Sequence, residues 1–244
     1  MLGEKHKSFF PPSANCTLWR YIDFTKFLSL LENRCLFFSR VDQFDDPYEG
    51  ALSRAGVEFL RNQIASVGGA NETVDYFINV IDSMRQQVFI NCWFMSEHES
   101  AAMWKLYLQS PEGVAIRTDH DTLAATLDRS PLKVRTTMVK YVDYDKVPIP
   151  PDNAFFPFVY KRLNFAHETE LRAIIWSNED INKTQVHDGA MGVTIDVESE
   201  EFIKSVHVSP NATKWFGQLV EQVLRRYNLS IPVVRSSLYD RPSY

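Results

Sequence analysis

Several familiar chemistries are missing from this chain of 244 residues. No G-x-x-x-x-G-K-[ST] loop is present to cradle a triphosphate, and no G-x-G-x-x-G turn to approach a dinucleotide. The G-x-S-x-G nucleophile elbow is absent too. Six histidines (6, 98, 120, 167, 187 and 207) never fall in the H-x-x-x-H or H-x-E spacing of a zinc enzyme. These gaps argue against the common NTPase, hydrolase and zinc-enzyme readings, and no metal site is expected. Cysteine is scarce: Cys16, Cys35 and Cys92 are scattered and odd in number, which suits a reducing cytoplasm better than a disulfide framework. Cys92 lies in an apolar run and reads as core. No stretch approaches the ~18 apolar residues of a membrane helix, and MLGEKHKSFFPP lacks the apolar run of a signal peptide. The expected protein is soluble and cytoplasmic, with no membrane partner.

What is present is an ordinary globular balance, 45% hydrophobic and 23% charged, with 17 Phe, 10 Tyr and 5 Trp to build an aromatic-rich core. A net charge of -5 argues against sequence-blind nucleic-acid binding, while a local basic groove remains open.

Pro11 and Pro12 close an arm of residues 1–15, and residues 16–244 read as one α+β domain. TLWRYI (17–22) and CLFFS (35–39) are strands flanking a short helix capped by Asp23 or Thr25. RVDQFDDPYEG (40–50) is turn chemistry. Residues 51–87 carry helical periodicity, broken at Gly68, Gly69 and Asn71. VFINCWFM (88–95) is a buried strand, and Ser96 with Glu99 forms a capping box for a helix holding Met103 and Trp104. GVAIRT (113–118) is a strand, a short helix follows around 122–127, and 134–144 reads as one further strand. Residues 155–163 read as a helix, and 177–192 as a polar loop. GVTIDV (192–197) and 231–238 are strands. Ser209 and Pro210 open a last helix burying Trp215, Leu219, Val223, Leu224 and Tyr227. Strands mixed with helices, without regular alternation, predict mainly antiparallel mixed sheets with helices packed around them.

The stretch with most chemical content is KRLNFAHETELRAIIW, 161–176. Its end is a buried strand. Side chains two apart in a strand share a face, so an early start projects Glu168, Glu170 and Arg172 together. Carboxylates beside a core strand are costly unless paired or solvated. Two readings stand: Arg172 pairs with one of them at a strand edge, or one Glu faces a cleft and does chemistry.

The ordered segments LWRYIDFTKFLSLLENRCLFFSRVDQFDDPYEG, NCWFMSEHESAAMWKLYL, GVAIRT and KRLNFAHETELRAI resemble a widespread bacterial family of unknown function. The shared features are a D-P-[FY]-E-G turn, an M-W-x-x-Y helix and an E-x-E-x-R segment. The resemblance covers residues 18–176 and implies a single α+β domain and a bacterial origin. A second resemblance, to ADP-ribosyltransferases, rests on Arg20 in the first strand, Ser39 at the end of the second, and Glu168-Thr169-Glu170. It implies NAD as substrate and a protein or nucleic acid as acceptor, in a setting such as phage defence. Arg20 is then expected to hold the NAD phosphates or ribose, and Ser39 to position the nicotinamide-side ribose. Tyr21 or Tyr48 is expected to stack on the nicotinamide. Glu170 is expected to stabilise the developing cation, and Glu168 to orient or deprotonate the acceptor. Ser39 lacks the S-T-S surroundings usual in those enzymes.

Two alternatives come from other classes. One is a non-catalytic nucleotide- or protein-binding module using the same cleft, with His98 and Trp104 as further lining. The other is a metal-dependent nuclease, which needs Asp45 and Asp46 to converge on Glu168 and Glu170 beside Lys161.

Overall fold

A computed structural model describes residues 9–150, 153–176 and 191–242. Most of the expected polar loop, the first eight residues of the arm and Pro151 lie outside the described residues.

Among the described residues, eleven strands form: β1 (Thr17–Asp23), β2 (Cys35–Arg40), β3 (Val88–Met95), β4 (Gly113–Asp119), β5 (Val134–Met138), β6 (Lys140–Val142), β7 (Tyr160–Arg162), β8 (Glu170–Trp176), β9 (Gly192–Asp196), β10 (Ser205–Val208) and β11 (Val233–Arg235). The helices are α1 (Phe24–Asn33), α2 (Arg54–Ser66), α3 (Asn71–Met84), α4 (Ala101–Tyr107), α5 (His120–Leu127), α6 (Phe156–Val159), α7 (Ser199–Phe202) and α8 (Lys214–Arg226). Nine strands hydrogen-bond into one sheet in the order β11-β10-β4-β1-β3-β2-β9, with β8 also on β3 and β5 on β8. β1 pairs antiparallel with β3 and β4, β2 with β3, β4 with β10 and β5 with β8, while β10 and β11 run parallel. The expected α+β fold with a largely antiparallel sheet is therefore present, and β6 and β7 make a separate parallel pair.

Contacts gather the chain into two compact units, each built from three stretches. The first holds Met1–Pro11, Phe37–Cys92 and Pro131–Thr194; the second holds Pro12–Leu36, Trp93–Ser130 and Ile195–Tyr244. In the first, Val41, Met84, Val88, Ile90, Phe158, Val159 and Ile174 form a buried cluster against which Phe9 and Phe10 pack. Those two arm residues are held further by Arg135 over the Phe9 ring, Lys140 over the Phe10 ring, and the Phe10 N–H donating to Thr137 Oγ1. In the second, Trp19, Tyr21, Met103, Trp104 and Ala115 pack with Phe94 and Leu108.

Local differences from the sequence reading have identifiable causes. Residues 134–144 form two strands because the Val139 N–H donates to Glu170 O while β6 goes to β7. The helix expected over 155–163 is one turn long, and the chain then runs through β7 into a 3-10 segment, Leu163–Glu168. Ser100, not Ser96, caps α4, accepting from the Met103 N–H, while Ser96 accepts from the His98 N–H. The N-cap of α8 is Thr213 rather than Ser209. Phe216, Val220 and Leu224 are its buried face, and Trp215 is 56% exposed.

Candidate functional site

β8 begins at Glu170, and Glu170 and Arg172 share a face as their spacing requires, with Arg172 Nε 2.8 Å from Glu170 Oε2. Glu168 is not in the strand: it ends the 3-10 segment and is separated from β8 by Thr169, whose φ of 37° is left-handed. That turn brings the Glu168 carboxylate back beside Glu170, and both meet the ammonium of Lys161 on β7, with Glu170 Oε1 at 2.5 Å. Arg172, 0% exposed, also gives Nη1 to Glu49 Oε1 at 2.5 Å and to Phe158 O at 2.9 Å. Glu49 arrives from the D-P-Y-E-G turn. The turn needs Gly50, which has φ 74°, and a Cβ there would meet the Phe158 ring at 2.7 Å.

The result is a buried line of alternating charge, Glu49–Arg172–Glu170–Lys161–Glu168, inside the first unit. Three carboxylates face two cations, so one negative charge is uncompensated in a place where burial penalises it. Burial, then the neighbouring Glu170, pushes the Glu168 carboxyl up to about 7. Burial acts the same way on Glu170, but Arg172, the Glu168 proton and Lys161 override it and hold Glu170 well below the usual carboxylate range. Lys161 and Arg172 are both raised against the effect of burial by the carboxylates around them. Tyr141 on β6 closes the line, its hydroxyl accepting the Glu170 N–H at 2.8 Å.

The other residues singled out in the sequence are dispersed. Tyr48, 42% exposed, lies beside this line in sequence through Glu49, with the Arg162 guanidinium 4.4 Å over its ring. Asp46 Oδ1 accepts from both the Tyr48 N–H and Arg162 Nη2. Ser39 is half-buried on β2, opposite Ile90 of β3. Arg20 and Tyr21 belong to the second unit. Arg20 lies 5.8 Å over the Trp93 ring. Tyr21 is buried among Trp19, Phe94 and Trp104, and its hydroxyl accepts the Ser100 N–H at 2.8 Å. His98 is exposed and Trp104 is core. A surface groove of about 300 Å³ in the second unit is lined by Asn33, Arg34, Thr126, Arg129, Asp196, Val197 and Glu198, and includes none of the residues singled out above.

Among the described residues, no group of three or more His, Cys, Asp or Glu side chains is placed to hold a metal ion. Asp46 is engaged by Arg162, and Glu168 and Glu170 by Lys161. No helix among the described residues is long and apolar enough to cross a membrane.

Sequence reasoning missed Glu49 as a buried group and Lys161 as the cation shared by the glutamates. Glu49 falls in a segment that reads as turn chemistry, and the local signal of its burial is the small Gly50 beside it.

No protein-family model and no curated protein matches this chain. Two solved structures resemble it distantly, both of Thermus sp. 2.9 DarT. The complex with carba-NAD+ aligns with a TM-score of 0.38 and 7% identity, over 92% of this chain and 96% of that one. The complex with NAD+ gives 0.39 and 7%, over 93% and 97%.

Proposed function

We propose that the chain is an NAD-using ADP-ribosyltransferase whose working carboxylates are Glu170 and Glu168. The observation that carries this reading is two buried carboxylates, Glu168 and Glu170, meeting on one Lys161 ammonium, in surroundings that hold Glu170 below the usual carboxylate range and push Glu168 up to about 7. Two carboxylates whose environments separate their proton affinities are suited to two roles.

In that reading the bond between ribose C1′ and the nicotinamide nitrogen breaks, and its electron pair leaves with nicotinamide. Glu170, held ionised by Arg172 and Lys161, stabilises the positive charge left on the ribose. Its Oε1 and Oε2 accept from Lys161 and Arg172 and the Glu168 proton takes a further lone pair, so one lone-pair direction is left for a ribose hydroxyl. The acceptor's N or O forms the new bond at C1′, and its proton passes to Glu168, which must be ionised to take it. Tyr48 offers an exposed ring for stacking on nicotinamide, and Ser39 keeps the ribose-positioning role implied by the resemblance. The acceptor is a protein or a nucleic acid.

The test is nicotinamide release from NAD by the purified chain, alone and with added cell lysate. Glu170→Gln is expected to lower release by about 100-fold or more while the circular dichroism spectrum is kept. Release should rise with pH and level off above about 7. Equal release from the folded Glu170→Gln protein would sink the reading. No release and no NAD-dependent thermal shift in the native chain would favour the binding-module alternative, in which the charge line is a structural ion-pair network.

A further inference from the structure

The two cations of the buried line are not equivalent. Arg172 sits on β8, two residues from Glu170, so strand geometry alone delivers it there. Its guanidinium is also tied to Glu49 and to Phe158 O. Lys161 belongs to a different strand, β7, and is the cation that touches both glutamates of the pair. Between Lys161 and Glu170 the chain makes the 3-10 segment and the left-handed residue Thr169. The ammonium therefore cross-links the two ends of that excursion. Its position is fixed in turn by burial and by the Phe165 ring, whose centroid is 4.8 Å away.

Glu49 has Arg172 at 2.5 Å and Lys161 at 3.8 Å, and Glu170 has both cations at hydrogen-bond distance. Among the described residues, the ion pairs of Glu168 are with Lys161 alone. It is also the end of the line closest to solvent, at 9% exposed against 2% for Glu49 and 4% for Glu170. The proton that neutralises the line belongs where cationic support is thinnest and water nearest.

We propose that Lys161 is a positioning residue: it clamps Glu168 against Glu170 and supports ionisation of Glu168 beside a carboxylate that is already charged. The proposal deepens the transferase reading and takes its functional meaning from it. The groups facing the pair are Lys161 on β7, Arg172 on β8, Glu49 in the turn, Tyr141 on β6 and Cys92 on β3. Burial raises both Tyr141 and Cys92, so neither competes for charge near neutrality. Loss of the ammonium leaves two touching carboxylates with Arg172 on the far side of one of them. Like charges at contact then hold the proton more tightly.

The experiment uses the full chain without NAD. Carbon-13 NMR follows the side-chain carboxyl of Glu168, assigned by its loss in Glu168→Gln. Lys161→Met is expected to move the Glu168 midpoint up by about one pH unit or more, and Lys161→Arg to return it toward the native value. In melting, Lys161→Met/Glu168→Gln is expected to be more stable than Lys161→Met, because it removes the carboxylate stranded by the first change. An unmoved midpoint, or a double variant no more stable than the single one, overturns the proposal. Should Lys161→Met fail to fold while the double variant folds, the same coupling is seen in stronger form. If both fail, Lys161 is a structural cation and the proposal falls. Titration and melting need no substrate, so absence of nicotinamide release would remove the transferase reading and leave this result standing. Where release is observed, Lys161→Met should lower kcat, shift its pH profile upward and leave KM nearly unchanged.

Discussion

The two units solve the problem of polar groups near a core in opposite ways. In the second, polar atoms of the buried aromatics are each satisfied once and remain neutral: Trp19 Nε1 donates to Ser96 O, Trp104 Nε1 to Glu99, and the Tyr21 hydroxyl accepts from Ser100. That cluster is close-packed, and the charged groups against it, Glu99 and Arg117, stand at its edge. In the first, five ionisable side chains share one buried line with a surplus of negative charge. Packing alone does not call for such a line, since apolar residues of similar volume are often as stable or more so. The comparison teaches where to look for function: the aromatic cluster is explained by stability, and the charge line is not.

The largest test of that contrast is Arg172→Met. It leaves Glu49 and Glu170 buried with Lys161 as the remaining cation of the line. Breaking a buried pair from one side costs about 3–5 kcal/mol. Urea unfolding should show a loss of that size. A loss under about 1 kcal/mol would mean that water reaches the line easily and that its charges are ordinary.

The pH dependence of stability sharpens the same contrast with a smaller effect. Glu168 has a folded value of about 7, above its ordinary range, so its contribution is whole at low pH and is lost as pH rises through about 7. Glu170 has the opposite sign: its lowered value contributes above the normal carboxylate range, and that contribution is lost as pH falls through the folded value. The native chain should therefore lose stability between about pH 5 and about pH 7.5, and Glu168→Gln should flatten that slope. Melting temperatures across this range decide it. A native slope that survives the substitution would assign the titration to another group.

Much of this was legible in the sequence, for reasons that can be named. Alternation and apolar runs placed most strands, because a sheet's side-chain period is local. The shared face of Glu170 and Arg172 followed from the same period. What could not be read was everything set by long-range contact. Ser96 and Glu99 satisfy a capping pattern, yet the helix starts at Ala101 because Ser100 is anchored through Tyr21 on β1. The run 134–144 looks like one strand because no local feature announces that Val139 turns toward Glu170. Glu49 and Arg172 lie 123 positions apart, so no spacing rule joins them. The D-P-Y-E-G and E-x-E-x-R segments, far apart in the sequence, are opposite sides of one ion-pair line.

The smallest effects concern the two tyrosines proposed as stacking rings, one in each unit. Tyr21 is buried, and its hydroxyl satisfies a backbone N–H, so Tyr21→Phe should cost about 1 kcal/mol in unfolding. Its phenol has a raised pKa because burial disfavours the anion, which marks it as core rather than solvent-facing. Tyr48 is 42% exposed, with Arg162 over its ring and Tyr144 edge-on at 6.2 Å. Losing an exposed cation–π contact costs about 0.5–1 kcal/mol, so Tyr48→Leu should barely change the unfolding midpoint. Under the transferase reading it should nevertheless raise KM for NAD several-fold, because a ring that contributes little to folding is free to contribute to binding. Tyr21→Phe should leave KM alone. The opposite pattern, with KM responding to Tyr21 and not to Tyr48, would move the nicotinamide subsite into the aromatic cluster of the second unit and would undo the division of labour drawn between the two.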